Sequence, residues 1–294
     1  MSVAVIINPI SGGARPERAA ARAQLAIAVV EAHGDRPEVF ITERPGHARE
    51  LARAAVARGM RLVMAWGGDG TINEVASALA FGEIPLGVIP AGSGNGLATE
   101  LGISRRPERA IADALAAEDR LIDVGELDGR LFVNIAGIGV DAFIAAQFNA
   151  AGNLRRGFAG YVRLTARALR TYVPRRYRIT TEAGQVEARA LLVTIANAPQ
   201  FGNGALIAPG ATVDDGLLDL VVIEERSRFR TVCQLPRLFN GTVARIRGCT
   251  IGRVRHVTIE CDESMTFHVD GEPVAGGTTL RARVHPGALH VVVK

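Results

Sequence analysis

The chain opens on a continuous apolar run, Val3-Ala4-Val5-Ile6-Ile7, which reads as a strand. An alanine-rich stretch at 15–33 follows and ends near Gly34, as a helix would. Residues 37–42 and 61–66 read as two further strands with a helix over about 46–58 between them, and 84–89 as a fourth. Two more helical stretches, about 96–101 and 107–117, come next. Strands alternating with helices predict an α/β unit whose parallel sheet is covered on both faces and whose ligands meet the carboxyl ends of the strands.

After about residue 122 the period changes. Short alternating runs at 131–136, 177–182, 186–197, 217–223, 254–260, 265–269 and 279–284 are broken by Gly, Asp and Pro, which predicts antiparallel β-structure. One amphipathic helix is expected at about 153–172. Leu154, Phe158, Tyr161, Val162, Thr165, Leu169 and Tyr172 form its stripe, with Arg155, Arg156, Arg163, Arg167 and Arg170 elsewhere. No internal repeat or low-complexity tract is present.

Length and composition narrow the classes. The 294 residues, 48% of them hydrophobic, suffice for two cores without covalent staples. Cys233, Cys249 and Cys261 are odd in number and widely spaced, so a reducing cytoplasm is the natural setting, with neither a disulfide framework nor a zinc site. The first residues carry no basic region followed by a long apolar stretch and read as a strand, not a signal peptide. No apolar run approaches the roughly 20 residues that span a bilayer.

Charge divides unevenly. Residues 1–125 hold 13 basic and 15 acidic side chains, and the remainder 21 and 15. All the basic residues are arginine except Lys294. That excludes a Walker A lysine, a pyridoxal Schiff base and a protein-kinase-type strand lysine, so phosphate handling falls to backbone amides, arginine and metal. The pI of about 9.4 alone hints at nucleic acid, and no recognition motif supports it. The six histidines show no metal-ligand spacing, and His256, His268, His285 and His290 read as ordinary strand residues.

The candidate chemistry lies in three strand-to-helix turns. Trp66-Gly67-Gly68-Asp69-Gly70-Thr71-Ile72-Asn73-Glu74 leaves one strand, and Thr71 with Glu74 stands at capping-box spacing, which predicts a helix starting at Thr71. Asp69 in such a loop would repel a phosphate unless a cation, Mg²⁺ above all, lay between them. Gly92-Ser93-Gly94-Asn95 follows the next strand, and Asn8-Pro9-Ile10-Ser11-Gly12-Gly13 is the first turn of the chain. Any one of these suits a plain turn. Three on one sheet edge predict an anion site, and none has the dinucleotide spacing GxGxxG.

With these residues in hand, the chain resembles the diacylglycerol kinase catalytic-domain family, which includes bacterial lipid kinases and the sphingosine and ceramide kinases. The matching motifs run in order: INPISGG, GGDGTINEV, PAGSGNGLA, NIAGIGVDA, DDGLLDL and HVDGE. The resemblance implies a nucleotide-binding domain over 1–125, similar to phosphofructokinase and NAD kinase and completed by 286–294, and a lipid-facing β-sandwich over 126–285, with ATP in the cleft between. It implies ATP against Asn8, Ser11, Gly12, Thr42, Gly67, Gly68, Asp69, Gly70, Thr71, Ile72, Asn73, Glu74, Gly92, Ser93, Gly94 and Asn95. It implies a catalytic Mg²⁺ held through water by Asp69 and Asp123, and a structural Mg²⁺ on Asp215 with the carbonyls of Thr212 and Leu217. Asp270 resembles the general base, with Glu272 beside it.

Where diacylglycerol kinases often carry Asp after Gly-x-Gly-Asn, this chain has Gly96, which points toward a ceramide or sphingoid base. The implied partners are ATP and a lipid presented at the inner face of the membrane to a cytoplasmic, peripheral enzyme. Attraction of about 1 kcal/mol per basic residue to anionic lipid would make a docking patch of the helix at 153–172 and of the arginines at 226, 228, 230, 237, 245, 247, 253 and 255. A homodimer is compatible with the sequence. Two rivals remain at this stage. An NAD kinase-type enzyme shares GGDG but lacks the INPxSG start and the VDGE end, and a non-catalytic lipid-binding regulator would keep the scaffold with broken motifs.

Overall fold

A strand buried on both faces needs apolar side chains throughout, and β1 (Ser2–Ile7) has them from Val3 on and β3 (Leu62–Gly67) up to Trp66. The computed structural model, which describes residues 1–13, 18–150, 165, 167–202, 204–226, 234 and 236–294, divides into two compact units. Met1–Ile122 with Gly287–Lys294 forms the first, and Asp123–Pro286 the second.

In the first unit β2 (Arg36–Ile41), β1, β3 and β4 (Leu86–Pro90) lie side by side in that order, all parallel. The end of β15 (Thr279–Val292) adds a fifth parallel position, Val291 opposite Leu86. Helices α1 (Arg18–Ala32) and α5 (Pro107–Ala116) cover one face through Ala26, Val30, Ala110 and Ile111 against Val3, Val5, Met64 and Trp66. Helices α2 (His47–Ala57) and α3 (Asp69–Leu79) pack on each other and reach β1 and β3. The short α4 (Gly96–Glu100) follows β4.

One expectation is corrected here. Helix α3 starts at Asp69, two residues before Thr71, and Gly68 caps it without a side-chain bond. Glu74 makes no capping box. Its carboxylate accepts the Gly46 and Ala48 amides at 2.7 and 3.0 Å, serving the start of α2 instead.

The second unit is antiparallel. Its main sheet runs β14 (Glu272–Ala275), β13 (Thr266–Val269), β7 (Ile135–Gly139), β9 (Gly184–Ala196), β8 (Arg175–Thr181), β12 (His256–Glu260) and the first half of β15. Strand β10 (Leu218–Glu224) pairs with β9 and with β11 (Cys249–Val254). Strand β9 is buried from Ala190 to Ala196 because alternate side chains enter two clusters. Val193 and Ile195 join Phe132, Tyr177 and Phe267, whereas Leu192 and Ala196 join Ile135, Val140 and Val221. The short α7 (Pro236–Phe239) lies between β10 and β11, and β5 (Asp119–Leu127) forms a hairpin with β6 (Arg130–Phe132).

Two runs read as single strands are divided. The run 131–136 breaks at Val133-Asn134, where the amides turn to the Asp270 carboxylate. The run 254–260 breaks at Arg255, whose amide, with that of His256, goes to Glu182. Strand β11 can thereby pair with β10 while β12 pairs with β8 and β15. Of the helix expected at 153–172, the described part is helical at 165 and 167–171. Leu154, Arg155, Arg156, Phe158, Tyr161, Val162 and Arg163 lie outside the described residues, as do Arg228, Arg230 and Cys233. Among the described residues no helix is long and apolar enough to cross a membrane.

Candidate active site

In the first unit the three glycine turns hold one another at the carboxyl edge of the sheet. The Asn8 amide continues the β-ladder to the Trp66 carbonyl at 2.9 Å, and its side-chain Nδ2 donates to Thr71 Oγ1 at 2.9 Å. Turn one is thus tied to turn two. Asp69, in turn two, accepts the Asn95 and Gly96 amides at 2.9 and 2.8 Å, one on each carboxylate oxygen, which ties turn two to turn three. Asn95 also closes turn three on itself, accepting the Gly92 amide and donating to the Gly92 carbonyl, each at 2.8 Å.

The glycines are required by proximity. Gly12 has φ +68°, and a Cβ on it would stand 2.3 Å from the Ala91 carbonyl oxygen, so turn one presses directly on turn three. A Cβ on Gly92 would lie 2.6 Å from Gly68 Cα. The result is an edge where the three turns lie backbone against backbone, the arrangement by which amides approach an anion.

Many residues expected against a nucleotide are joined here: Asn8, Ser11, Gly12, Gly67, Gly68, Asp69, Thr71, Gly92 and Asn95, with Gly70, Ser93 and Gly94 in the same turns, while Asn73 is buried in α3 and accepts the Ser77 hydroxyl. Thr42 sits one strand over, its amide on the Ile7 carbonyl at 2.9 Å. Ile72 is buried, its amide bonded to the Gly68 carbonyl at 3.0 Å. Glu74 is engaged at the α2 start. One member was not anticipated: Arg22 of α1 donates to the Asn8 carbonyl at 2.9 Å and to Ser11 Oγ at 3.1 Å, with its guanidinium 5.6 Å from the Trp66 ring centroid. Burial, and after it the neighbouring Arg18, lowers the proton affinity of this group below the ordinary arginine value. In a chain with no lysine before position 294, an arginine in the helix after the first glycine turn was the available signal.

In the second unit Asp270 and Gly271 form the two-residue loop between β13 and β14, with φ +47° and +87°. Both are left-handed, as a type I′ hairpin turn demands. The Asp270 side chain is buried and accepts three amides, Val133 at 2.9 Å, Asn134 at 3.0 Å and Ile135 at 2.8 Å. Glu272, two residues on, is exposed. The turn therefore presents one carboxylate locked into backbone and one open to solvent.

Asp123 is 2% exposed and accepts the Gly216 amide at 2.6 Å, while its own amide donates to the Val213 carbonyl at 2.6 Å. These bonds fasten the 212–217 loop. Asp215 accepts the Thr212 hydroxyl at 2.6 Å and the Leu217 amide at 3.0 Å, and pairs with Arg253. Leu217 turns its N–H to Asp215, and Arg253 supplies positive charge at the carboxylate that the resemblance assigned, with the carbonyls of Thr212 and Leu217, to a structural Mg²⁺.

Among the described residues no three His, Cys, Asp or Glu groups converge to hold a metal. A Mg²⁺ would be carried chiefly by nucleotide phosphates and water. Such an outer-sphere role asks only that a carboxylate accept a hydrogen bond from a metal-bound water, which the amide-held Asp69 fits.

Comparison with known proteins agrees with this architecture. Residues 2–127 match the family model of the diacylglycerol kinase catalytic domain, and residues 134–293 that of the YegS C-terminal NAD kinase beta sandwich-like domain. The chain is 34% identical over 278 residues to a probable lipid kinase YegS-like protein of Pseudomonas aeruginosa, covering 90% of this chain and 87% of that protein. It is 29% identical over 277 residues to a diacylglycerol kinase of Mycobacterium tuberculosis, covering 92% and 88%. The solved structure of a putative diacylglycerol kinase from Bacillus anthracis superposes with a TM-score of 0.82 over 100% of this chain and 95% of that one. At 22% identity this is a likeness of fold.

Proposed function

The chain belongs to the diacylglycerol kinase catalytic-domain family of lipid kinases, and we propose that it moves the γ-phosphoryl group of ATP onto a hydroxyl of a diacylglycerol or sphingoid-type lipid. The observation that carries this is the closed set of three glycine turns, Asn8 to Thr71, Asp69 to Asn95 and Gly96, and Gly12 against Ala91. Phosphoryl transfer asks the protein mainly to align oxygens and spread charge, work that fixed amides do without a lysine. Mg²⁺, when bound with the nucleotide, neutralises charge on the β- and γ-phosphates, and Asp69 is its candidate ligand through water.

On the acceptor side the two carboxylates take different parts. Asp270, buried under three amides, sets the shape of the turn. Glu272 is exposed, so a membrane-presented hydroxyl reaches it without opening the fold, and it is the better placed of the two to accept the proton as the hydroxyl attacks. The base role expected of Asp270 thus passes to its neighbour in this proposal. Asp123 is assigned to the 212–217 loop. We place the enzyme at the cytoplasmic face of the membrane, where such lipids are presented.

The test is transfer of labelled phosphate from ATP to diacylglycerol, ceramide and a sphingoid base in mixed micelles. Labelled product from any of the three supports the proposal and ranks the acceptors. Labelling of NAD with none of the lipids would overturn it in favour of an NAD kinase-type activity.

A further inference from the structure

The second unit buries a carboxylate against an imidazole inside an apolar sandwich. Asp141, in the first turn of α6 (Val140–Ala150), and His268 of β13 have side chains 10% and 5% exposed, with Oδ2 and Nε2 3.5 Å apart. The same carboxylate accepts the Thr194 hydroxyl at 3.2 Å and the Ala142 amide at 2.8 Å. Gly137, opposite His268 in the β7–β13 register, makes the room: a Cβ there would stand 2.0 Å from Asp141 Oδ2 and 2.8 Å from His268 Nε2. A buried carboxylate held against an imidazole stabilises a fold little compared with apolar side chains of the same volume. Packing alone does not account for it.

The other ring nitrogen shows where the pair is directed. His268 Nδ1 accepts the Gly271 amide at 3.3 Å. An amide donor at Nδ1 puts the ring proton on Nε2, facing Asp141, so the carboxylate fixes the tautomer and the imidazole holds the centre of the Asp270-Gly271-Glu272 turn. Phe201 packs against the ring at 6.3 Å between centroids and limits its rotation.

We infer that His268, its tautomer set by Asp141, is a positioning residue for the acceptor side of the reaction. By holding Gly271 it fixes the direction in which Glu272 leaves the turn. The inference rests on the reading of that turn as the acceptor-side machinery.

Two substitutions separate the two ends of the ring. In His268→Asn the side-chain oxygen stands where Nδ1 does and keeps an acceptor for Gly271, while the link to Asp141 is lost. In His268→Gln the amide nitrogen reaches toward Asp141 and the acceptor for Gly271 is lost. The measurements are lipid-dependent turnover, KM for ATP, and deuterium uptake by peptides covering 267–275 in the full-length proteins.

The expected result is that Gln lowers kcat about tenfold or more and speeds exchange at Gly271, with KM for ATP unchanged. Asn stays within about threefold of the parent in kcat, with slow exchange. Equal losses in both variants, with equal exchange, would reduce His268 to a core residue and overturn the inference. A parent protein that phosphorylates no lipid overturns the functional reading itself, and the positioning role with it.

Discussion

Asp270 and Ile135 hold each other twice: the Ile135 amide donates to the Asp270 carboxylate at 2.8 Å, and the Asp270 amide donates to the Ile135 carbonyl at 2.8 Å. This reciprocal pair docks the β13–β14 turn onto the gap between β6 and β7. It makes Asp270 part of the frame and leaves Glu272 as the carboxylate at the surface.

The two carboxylates are therefore separable by substitution. Glu272→Gln should lower lipid phosphorylation by roughly 10²–10⁴-fold, the range of a lost general base, while stability stays within about 0.5 kcal/mol of the parent. Asp270→Asn sets an NH₂ group against amide donors and should cost about 1–3 kcal/mol in denaturant unfolding as well as activity. Full activity in Glu272→Gln would remove it as the base.

The glycine turns make a kinetic prediction. Gly12→Ala puts a methyl group 2.3 Å from the Ala91 oxygen at a φ of +68°, so turns one and three must part and KM for ATP should rise about tenfold or more, some 1.4 kcal/mol. Asn8→Ala removes only the bond to Thr71, of order 1 kcal/mol, and should raise KM for ATP by less. Initial rates at varied ATP and saturating lipid decide this; unchanged KM in both variants would detach these turns from the nucleotide.

Arg253 in place of a cation on Asp215 predicts how the apo protein responds to chelator. EDTA should leave the melting temperature of the parent, measured without nucleotide, where it is. Arg253→Gln, a half-exposed change worth less than about 1 kcal/mol by itself, should make the melting temperature rise with added Mg²⁺. A parent that melts earlier in EDTA would show that a metal belongs there after all.

Asp35 gives a stability signature against pH. The paired hydrogen bonds of Arg61 hold its carboxyl down at about 2, below the ordinary 3.8. A lowered folded-state value contributes stability that is complete above the ordinary value and fades as pH falls toward 2. Asp35→Asn should thus unfold more easily by about 1–2 kcal/mol at pH 7, and the gap should close between pH 4 and pH 2. A gap independent of pH would assign the loss to packing.

What the sequence made legible follows from how local each signal is. The parallel unit could be read because Val3 to Ile7 and Arg61 to Trp66 are continuous runs ending in glycine turns, a pattern that depends only on neighbours in the chain. The partners of the key side chains could not. Glu74 bonds amides 26 and 28 residues upstream, and Asp270 bonds amides 135 to 137 residues upstream. The gap at Val133-Asn134 is not set by its neighbours in the chain: the arriving Asp270 carboxylate draws both amides away. His268 looked like any alternating strand residue until Asp141 stood beside it.

The last strand carries a consequence for biogenesis. Residues 287–294 belong to the first unit, beside β4, yet the ribosome makes them only after the whole of 123–286. At about 5–20 residues per second, translation of that insert leaves the free edge of β4 waiting roughly 8–33 seconds for its neighbour. During that interval the nascent N-terminal sheet is an open template for wrong strands, until Val291 takes its place beside Leu86.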